Sequence, residues 1–347
     1  MLQADARLGL IQDWLSRELG LAVERIEPAS ADASFRRYFR AWASGTTRIV
    51  MDAPPEKEDV GPYLKVTRLL ESVGMHVPHV HEADESRGLL LLEDLGHTHY
   101  LSQLKNGGDP EALYRDALGA LANLQVRGRE AARELAPYDR AALLREMKLM
   151  PEWFAGRHLG LSLTPAENAL LERTFGFLID GALAQPQVFV HRDYHSRNLM
   201  VLADRNPGVL DFQDALRGPI GYDLVSLLKD CYVAWPRERV ERWLREYRAA
   251  IGGRGMNVGS DEREFFRWFD LIGVQRHIKV LGIFARLWYR DGKPGYLPDL
   301  PLTLAYVRDT AARYVELRDF SSFVERRIVP GLPRANERAL GQMELGA

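Results

Sequence analysis

A two-lobed α+β fold, with a small antiparallel sheet ahead of a larger and mainly helical body, is the architecture this 347-residue sequence predicts. Three observations lead there. Short apolar runs separated by Gly and Pro fill roughly the first 95 residues, helical spacing dominates after Thr98, and a single strand-rich stretch at 186–216 interrupts the helices. With 46% hydrophobic residues there is apolar material for one large core or two smaller ones, which excludes a disordered tail and a small cross-linked scaffold.

In chain order, Leu8 to Leu19 carries a helical stripe that Gly20 can end. Strand-like pieces follow at ERIEPA, FRRYFRAWA and TRIVMDA, with Gly45 between the second and third and Pro54-Pro55 stopping the third. Residues 62–73 return to helical spacing, Gly74 breaks them, and VPHVHEA and GLLLLEDL supply two further strands. Beyond Thr98, helices are predicted at 109–125, 139–155, 165–183, 236–250, 261–290 and 299–325. Within the interruption, QVFVHRD, NLMVL and GVLDF read as short strands joined by polar loops. The tail from Pro330 has weak periodicity, compatible with a mobile end or one terminal helix. Two lobes result, 1–95 and 96–347, and a ligand cleft between them is the default expectation.

Composition narrows the partners. A net charge of −2, from 46 basic and 48 acidic side chains, lacks the broad positive field of a nucleic-acid binder. The single cysteine, Cys231, can form neither an internal disulfide nor a thiolate metal cluster, which fits a reducing compartment. The opening residues lack the pattern of a secretory signal, and no apolar run approaches the ~20 residues a bilayer requires. A cytoplasmic monomer without nucleic-acid or membrane partners is expected.

Chemistry concentrates in VFVHRDYHSRNLMVL, residues 188–202, and VLDFQDA, residues 209–215. Four residues separate Asp193 from Asn198, and Asp211 follows at the end of the next strand. An amide and a carboxylate give a hard divalent ion oxygen ligands and leave positions for phosphate oxygens and water. Asn198 and Asp211 thus suit Mg2+ carried by ATP, and Asp193 stands apart to meet an acceptor hydroxyl. The spacing matches the kinase catalytic-loop signature. His191 has the titration range of a general base but can equally fix the loop that aims Asp193. Asp223, in RGPIGYDLVSLLKD, can cap the helix it begins or brace the catalytic loop.

On these motifs the chain resembles the aminoglycoside phosphotransferase and choline kinase family, small-molecule kinases with a protein-kinase-like fold. The resemblance implies that Asp193 is the catalytic base, that Asn198 and Asp211 hold Mg2+, and that Asp223 supports the loop. SADASFRRYFR, IVMDAPPEKED, HVPHVHEAD and GLLLLEDLG are similar to one branch of the family, the anomeric kinases of N-acetylmuramate and N-acetylglucosamine in peptidoglycan recycling. That likeness implies ATP-dependent formation of the two sugar 1-phosphates. Another small hydroxyl acceptor, aminoglycoside or choline-like, and a non-catalytic nucleotide-binding relative are the alternatives.

Two departures from the kinase pattern stand out. The loop expected over the phosphates, PASADASFRR, has no glycine, so Ser34, Phe35 and Arg36 are the candidate contacts there. The strand that would carry the phosphate-binding lysine reads RIVMDAPP, with Met51 or Asp52 in its place, and Arg48, Lys57, Arg36 or Arg37 could supply the charge instead. The resemblance places Glu93 and Leu95 in the connector beside the adenine. For the acceptor, Arg276 and Lys279 are the candidates to meet a substrate carboxylate, and spacing does not choose between them.

Overall fold

A computed structural model describes residues 6–31 and 35–344, so Ser34 lies outside the described residues. The chain forms two compact bodies, residues 1–120 with 197–215 and residues 121–196 with 216–347.

The first body opens with α1 (Ala6–Asp13), prolonged by a π-helical turn, and continues through β1 (Val23–Ala31), β2 (Arg37–Ala43), β3 (Thr46–Asp52), α2 (Gly61–Ser72), β4 (Val80–Asp84) and β5 (Leu89–Glu93). The strands make one antiparallel sheet in the order β1-β2-β3-β5-β4. Ser44 and Gly45 join β2 to β3 with positive φ at both residues, the backbone that matches strand twist in a two-residue hairpin. Alternation sorts the faces. Phe39, Ala41, Val50, Leu89 and Leu91 pack on Ile11, Trp14 and Leu15 of the opening helix. Tyr38, Arg40, Ile49, Met51, Leu90 and Leu92 therefore take the opposite face. Helix α3 (Tyr100–Lys105) and the start of α4 (Pro110–Arg127) follow.

The second body contains α5 (Arg140–Met147), a π-helical stretch at Met150–His158, α6 (Pro165–Leu183) and β6 (Gln187–Val190). The chain then returns to the first body for a short hairpin, β7 (Leu199–Met200) and β8 (Gly208–Val209). This return has local causes. The Val201 N–H donates to the Thr98 carbonyl and the Val209 N–H to the His76 carbonyl, each at 2.8 Å. Gly208 permits the approach, because a Cβ there would lie 2.8 Å from Leu95 Cδ1.

Back in the second body, β9 (Leu216–Pro219) pairs antiparallel with β6, and α7 (Tyr222–Leu228), α8 (Arg237–Gly252), α9 (Glu262–Tyr289), α10 (Leu300–Ala311), α11 (Arg318–Phe323) and α12 (Leu332–Glu344) complete it. Helix α9 is buried along most of its length. A Cβ on Gly282 would sit 2.4 Å from the Leu149 carbonyl carbon, so α9 passes the turn after α5 backbone to backbone.

Two predicted helices prove shorter than expected. The 139–155 run breaks after Met147, where Pro151 cannot donate to a regular ladder, and the chain continues as the π-helical stretch. The 299–325 run divides at Ala311. Of the two readings of the tail, the structure has the terminal helix, α12. Among the described residues no helix is long and apolar enough to cross a membrane.

Candidate active site

In the second body, residues 191–196 form a loop after β6 that is held from both ends by buried carboxylates. Asp223 Oδ2 accepts the His191 N–H at 2.7 Å and its Oδ1 accepts the Arg192 N–H at 3.0 Å. At the far end, Asp230 Oδ2 accepts both the Ser196 N–H and its hydroxyl, and Oδ1 accepts the Tyr232 N–H. Between these clamps Arg192 adopts a left-handed backbone with φ 81°, a conformation that persists in a non-glycine residue only when its surroundings enforce it. The Ser226 hydroxyl adds a bond to the Arg192 carbonyl at 3.2 Å. His191 Nδ1 accepts the Asp193 N–H at 3.2 Å, which assigns the ring proton to Nε2.

Asp193 lies in a cationic environment. Burial pushes its carboxyl up, but Lys279, His195, Arg276 and Arg192 together outweigh it and leave the group at about 2. Two of these cations share a counter-ion. The Glu146 carboxylate on α5 pairs with Arg192, lies 3.4 Å from Lys279 Nζ and accepts the Tyr138 hydroxyl. Burial raises Glu146, and Lys279 and Arg192 bring it below its ordinary value. Lys279 also donates to the Tyr222 hydroxyl at 3.1 Å. Asp223 differs: burial dominates its two amide bonds and raises it to about 7.

The first body carries the other two residues of the motif. Leu210 donates its N–H to the Asn198 carbonyl at 2.9 Å, locking the hairpin. Asn198 Nδ2 then donates to Asp211 Oδ2 at 3.3 Å, and Gln213 Nε2 donates to Oδ1 at 2.8 Å. Asp211 also has a left-handed backbone, φ 61°, which Asp tolerates better than most residues. The Arg36 guanidinium comes within 3.9 Å of the Asp211 carboxylate. Asn198 and Asp211 thus gather an amide and a carboxylate at one point beside a cation.

Met51 and Asp52 point to opposite faces of β3, and Asp52 is on the face packed by α1, where Arg7 and Arg37 both bind its carboxylate. Arg48 shares that face by alternation. Of the arginines considered from the sequence, Arg36 is the one that approaches Asp211. Glu71 of α2 pairs with His79 Nδ1 at 2.8 Å. Glu93 lies 3.5 Å from His76 and accepts the His79 N–H, while Leu95 packs against the hairpin at Gly208. Phe35 is exposed, with Lys57 Nζ 4.9 Å above its ring and its N–H donated to Glu58.

Trp153 is covered by the Arg157 guanidinium at 4.1 Å, and Tyr232 meets His195 edge to face at 5.3 Å. His277 Nε2 bonds the Lys229 carbonyl, and its ring stacks on Tyr306. Sequence reasoning missed Glu146 and Asp230. Asp230 had a signal, a charged pair with Lys229 closing the apolar run LVSLL. Glu146 had none, since it sits among alternating charges on an ordinary helix.

Comparison with known proteins gives the family. The model of the phosphotransferase enzyme family named for the aminoglycoside phosphotransferases matches residues 25–267. A relative in Pseudomonas putida, named N-acetylmuramate/N-acetylglucosamine kinase, is 44% identical over 93% of this chain and 97% of its own. One of the same name in Neisseria meningitidis is 48% identical over 83% of this chain and 86% of its own. Among solved structures, the ethanolamine kinase of Plasmodium vivax superposes with a TM-score of 0.64 at 11% identity, covering 92% of each chain, a likeness of fold. With the family model matching residues 25–267 and a relative 44% identical over most of its length, the chain belongs to the aminoglycoside phosphotransferase-type phosphotransferase family.

Proposed function

We propose that this protein is an ATP-dependent kinase that phosphorylates N-acetylmuramate and N-acetylglucosamine at the anomeric hydroxyl, the reaction of a peptidoglycan-recycling step. The observation that carries the acceptor class is the shared name of relatives 44 and 48% identical over most of the chain. Asp193 orients the C1 hydroxyl and takes its proton as the γ-phosphoryl group leaves ATP in line. Asn198 and Asp211 would hold Mg2+. Their donor set of one amide oxygen and one carboxylate fits an ion that keeps phosphate and water as its remaining ligands. When bound, the metal neutralises charge on the phosphate oxygens. Asp223 and Asp230 keep the loop in the shape that presents Asp193.

The electrostatics of the second body support this acceptor over a cationic one. Arg276 and Lys279 both act on the Asp193 carboxylate. An aminoglycoside or choline would bring positive charge toward that field, whereas neutral and anionic sugars do not. The test is ADP release with each sugar, with phosphorus NMR of the product. The expected product carries phosphate at C1, and the C1-reduced sugar is inert. Turnover of the reduced sugar, or phosphate elsewhere on the ring, overturns the anomeric assignment.

A further inference from the structure

The two basic residues that α9 presents to Asp193 differ in a way their spacing does not reveal. Lys279 has a carboxylate beside it, Glu146 at 3.4 Å, which it shares with Arg192, and it donates to the Tyr222 hydroxyl. Arg276 is 3% exposed, yet among the described residues no carboxylate oxygen lies within ion-pair distance of it. Its one hydrogen-bonding contact is Nη1 to the Cys231 thiol at 3.8 Å, and its Nε is buried without a partner. Asp230, next to Cys231, spends its oxygens on Ser196 and Tyr232. A second unpartnered donor borders the same cysteine, the Tyr306 hydroxyl. A buried guanidinium with five donors and one weak acceptor is costly unless a ligand completes it.

A chain of aromatic rings runs from the loop that carries Asp193. Leading away from His195, two residues past Asp193, Tyr232 meets Phe284 at 6.3 Å, and Phe284 meets Tyr296 at 5.2 Å. Such rings present apolar faces to the C–H edges of a pyranose. Resting on the acceptor class proposed above, we infer that Arg276 reads the lactyl carboxylate of N-acetylmuramate, and that Lys279, held between Glu146 and the Tyr222 hydroxyl, does not. N-acetylglucosamine has a hydroxyl in place of the lactyl ether and is accepted without this pairing. Arg276 is then a specificity-determining residue, because its counter-ion arrives with one of the two substrates.

The experiment compares kcat/KM for both sugars in the wild type, Arg276→Gln and Arg276→Lys, and sets N-acetylmuramate against its methyl ester. Loss of a buried charge-assisted pair is expected to lower N-acetylmuramate use by about 100-fold in Arg276→Gln and less in Arg276→Lys. Because Arg276 also acts on the Asp193 carboxylate, both sugars share whatever the substitution does to that group, and the readout is the ratio of the two kcat/KM values, which should shift by about 100-fold toward N-acetylglucosamine in Arg276→Gln. In the wild type the ester should suffer the same penalty, and Arg276→Gln should treat acid and ester alike. Equal losses on both sugars would assign Arg276 to the transferred phosphoryl group and overturn the inference, as would a wild type that uses the ester as well as the acid. If Arg276→Gln does not fold, the ester comparison and Arg276→Lys decide the matter. A wild type inactive on both sugars removes the acceptor reading itself, and the inference falls with it.

Discussion

Replacing Asp223 by Asn tests whether the catalytic loop depends on a carboxylate rather than on packing. Both oxygens of Asp223 accept a main-chain N–H, from His191 at 2.7 Å and Arg192 at 3.0 Å. Asn retains one acceptor and turns an NH2 group toward the other N–H. One buried bond is lost and a donor faces a donor, at a cost of about 1–3 kcal/mol. The left-handed backbone of Arg192 loses part of what enforces it, and Asp193, the next residue, loses its fixed direction. We expect kcat to fall by about 10- to 100-fold, with KM for ATP within about threefold. The assay is steady-state kinetics on N-acetylglucosamine beside urea unfolding of both proteins. Linkage gives a second reading. Burial raises Asp223 from its ordinary value of 3.8 to about 7. Its contribution to stability is therefore full below about pH 4 and is lost as pH rises through about 7, a change of about 4 kcal/mol. Stability of the wild type relative to Asp223→Asn should decline over that window. A variant with wild-type kcat, or a kcat loss that tracks only the unfolded fraction, would refute the bracing role. A stability difference independent of pH would refute the titration.

Asp193→Asn should lower kcat by about 100- to 10,000-fold with nucleotide binding retained, whereas Asp211→Asn should raise the Mg2+ concentration needed for half-maximal rate; calorimetry of nucleotide binding and magnesium titrations separate the two. Arg36→Met should raise KM for ATP by about tenfold if this side chain supplies the charge that β3 lacks, while Arg37→Met should lower thermal stability because Arg37 holds the buried Asp52. Glu146→Gln removes the shared counter-ion of Arg192 and Lys279 and should destabilise the fold by about 3–5 kcal/mol in chemical denaturation. A fully stable Glu146→Gln protein would show that the buried charges rearrange without it.

Much of this could be read from the chain, for identifiable reasons. The five-strand sheet was legible because its runs alternate and its turns carry Gly and Pro, as at Ser44-Gly45. The candidate motif stood out because Asp193, Asn198 and Asp211 lie within 19 positions of one another. Contacts between distant segments were not. Glu146 meets Arg192 across 46 positions, and helical periodicity gives a polar residue no mark that says what it touches. That Glu146 lies beside Lys279 and not beside Arg276 was equally hidden. The 139–155 helix was overextended because its apolar pattern persists through Pro151, where the backbone cannot follow.

The low position of Asp193 also constrains how it can act. The cations around Asp193 hold its carboxyl low, which makes it a weaker base, and in the role proposed above it takes the proton with phosphoryl transfer rather than ahead of it. In a loose transition state little negative charge has to be generated on the attacking oxygen before the leaving bond has largely broken. The hydroxyl then becomes strongly acidic only as the new P–O bond forms, and a weak base suffices at that point. An anomeric hydroxyl, more acidic than an ordinary alcohol, suits such a base better than the hydroxyls of an aminoglycoside or of choline. In the role proposed for Asp193, the cations that depress it would keep the carboxylate charged to orient the acceptor and would favour an acceptor whose proton is easy to release. Removing Lys279, first among those cations, should strengthen Asp193 as a base, and the ratio of turnover on ordinary alcohols to turnover on anomeric acceptors should rise in Lys279→Met. An unchanged ratio would separate the basicity of Asp193 from the selection of substrate.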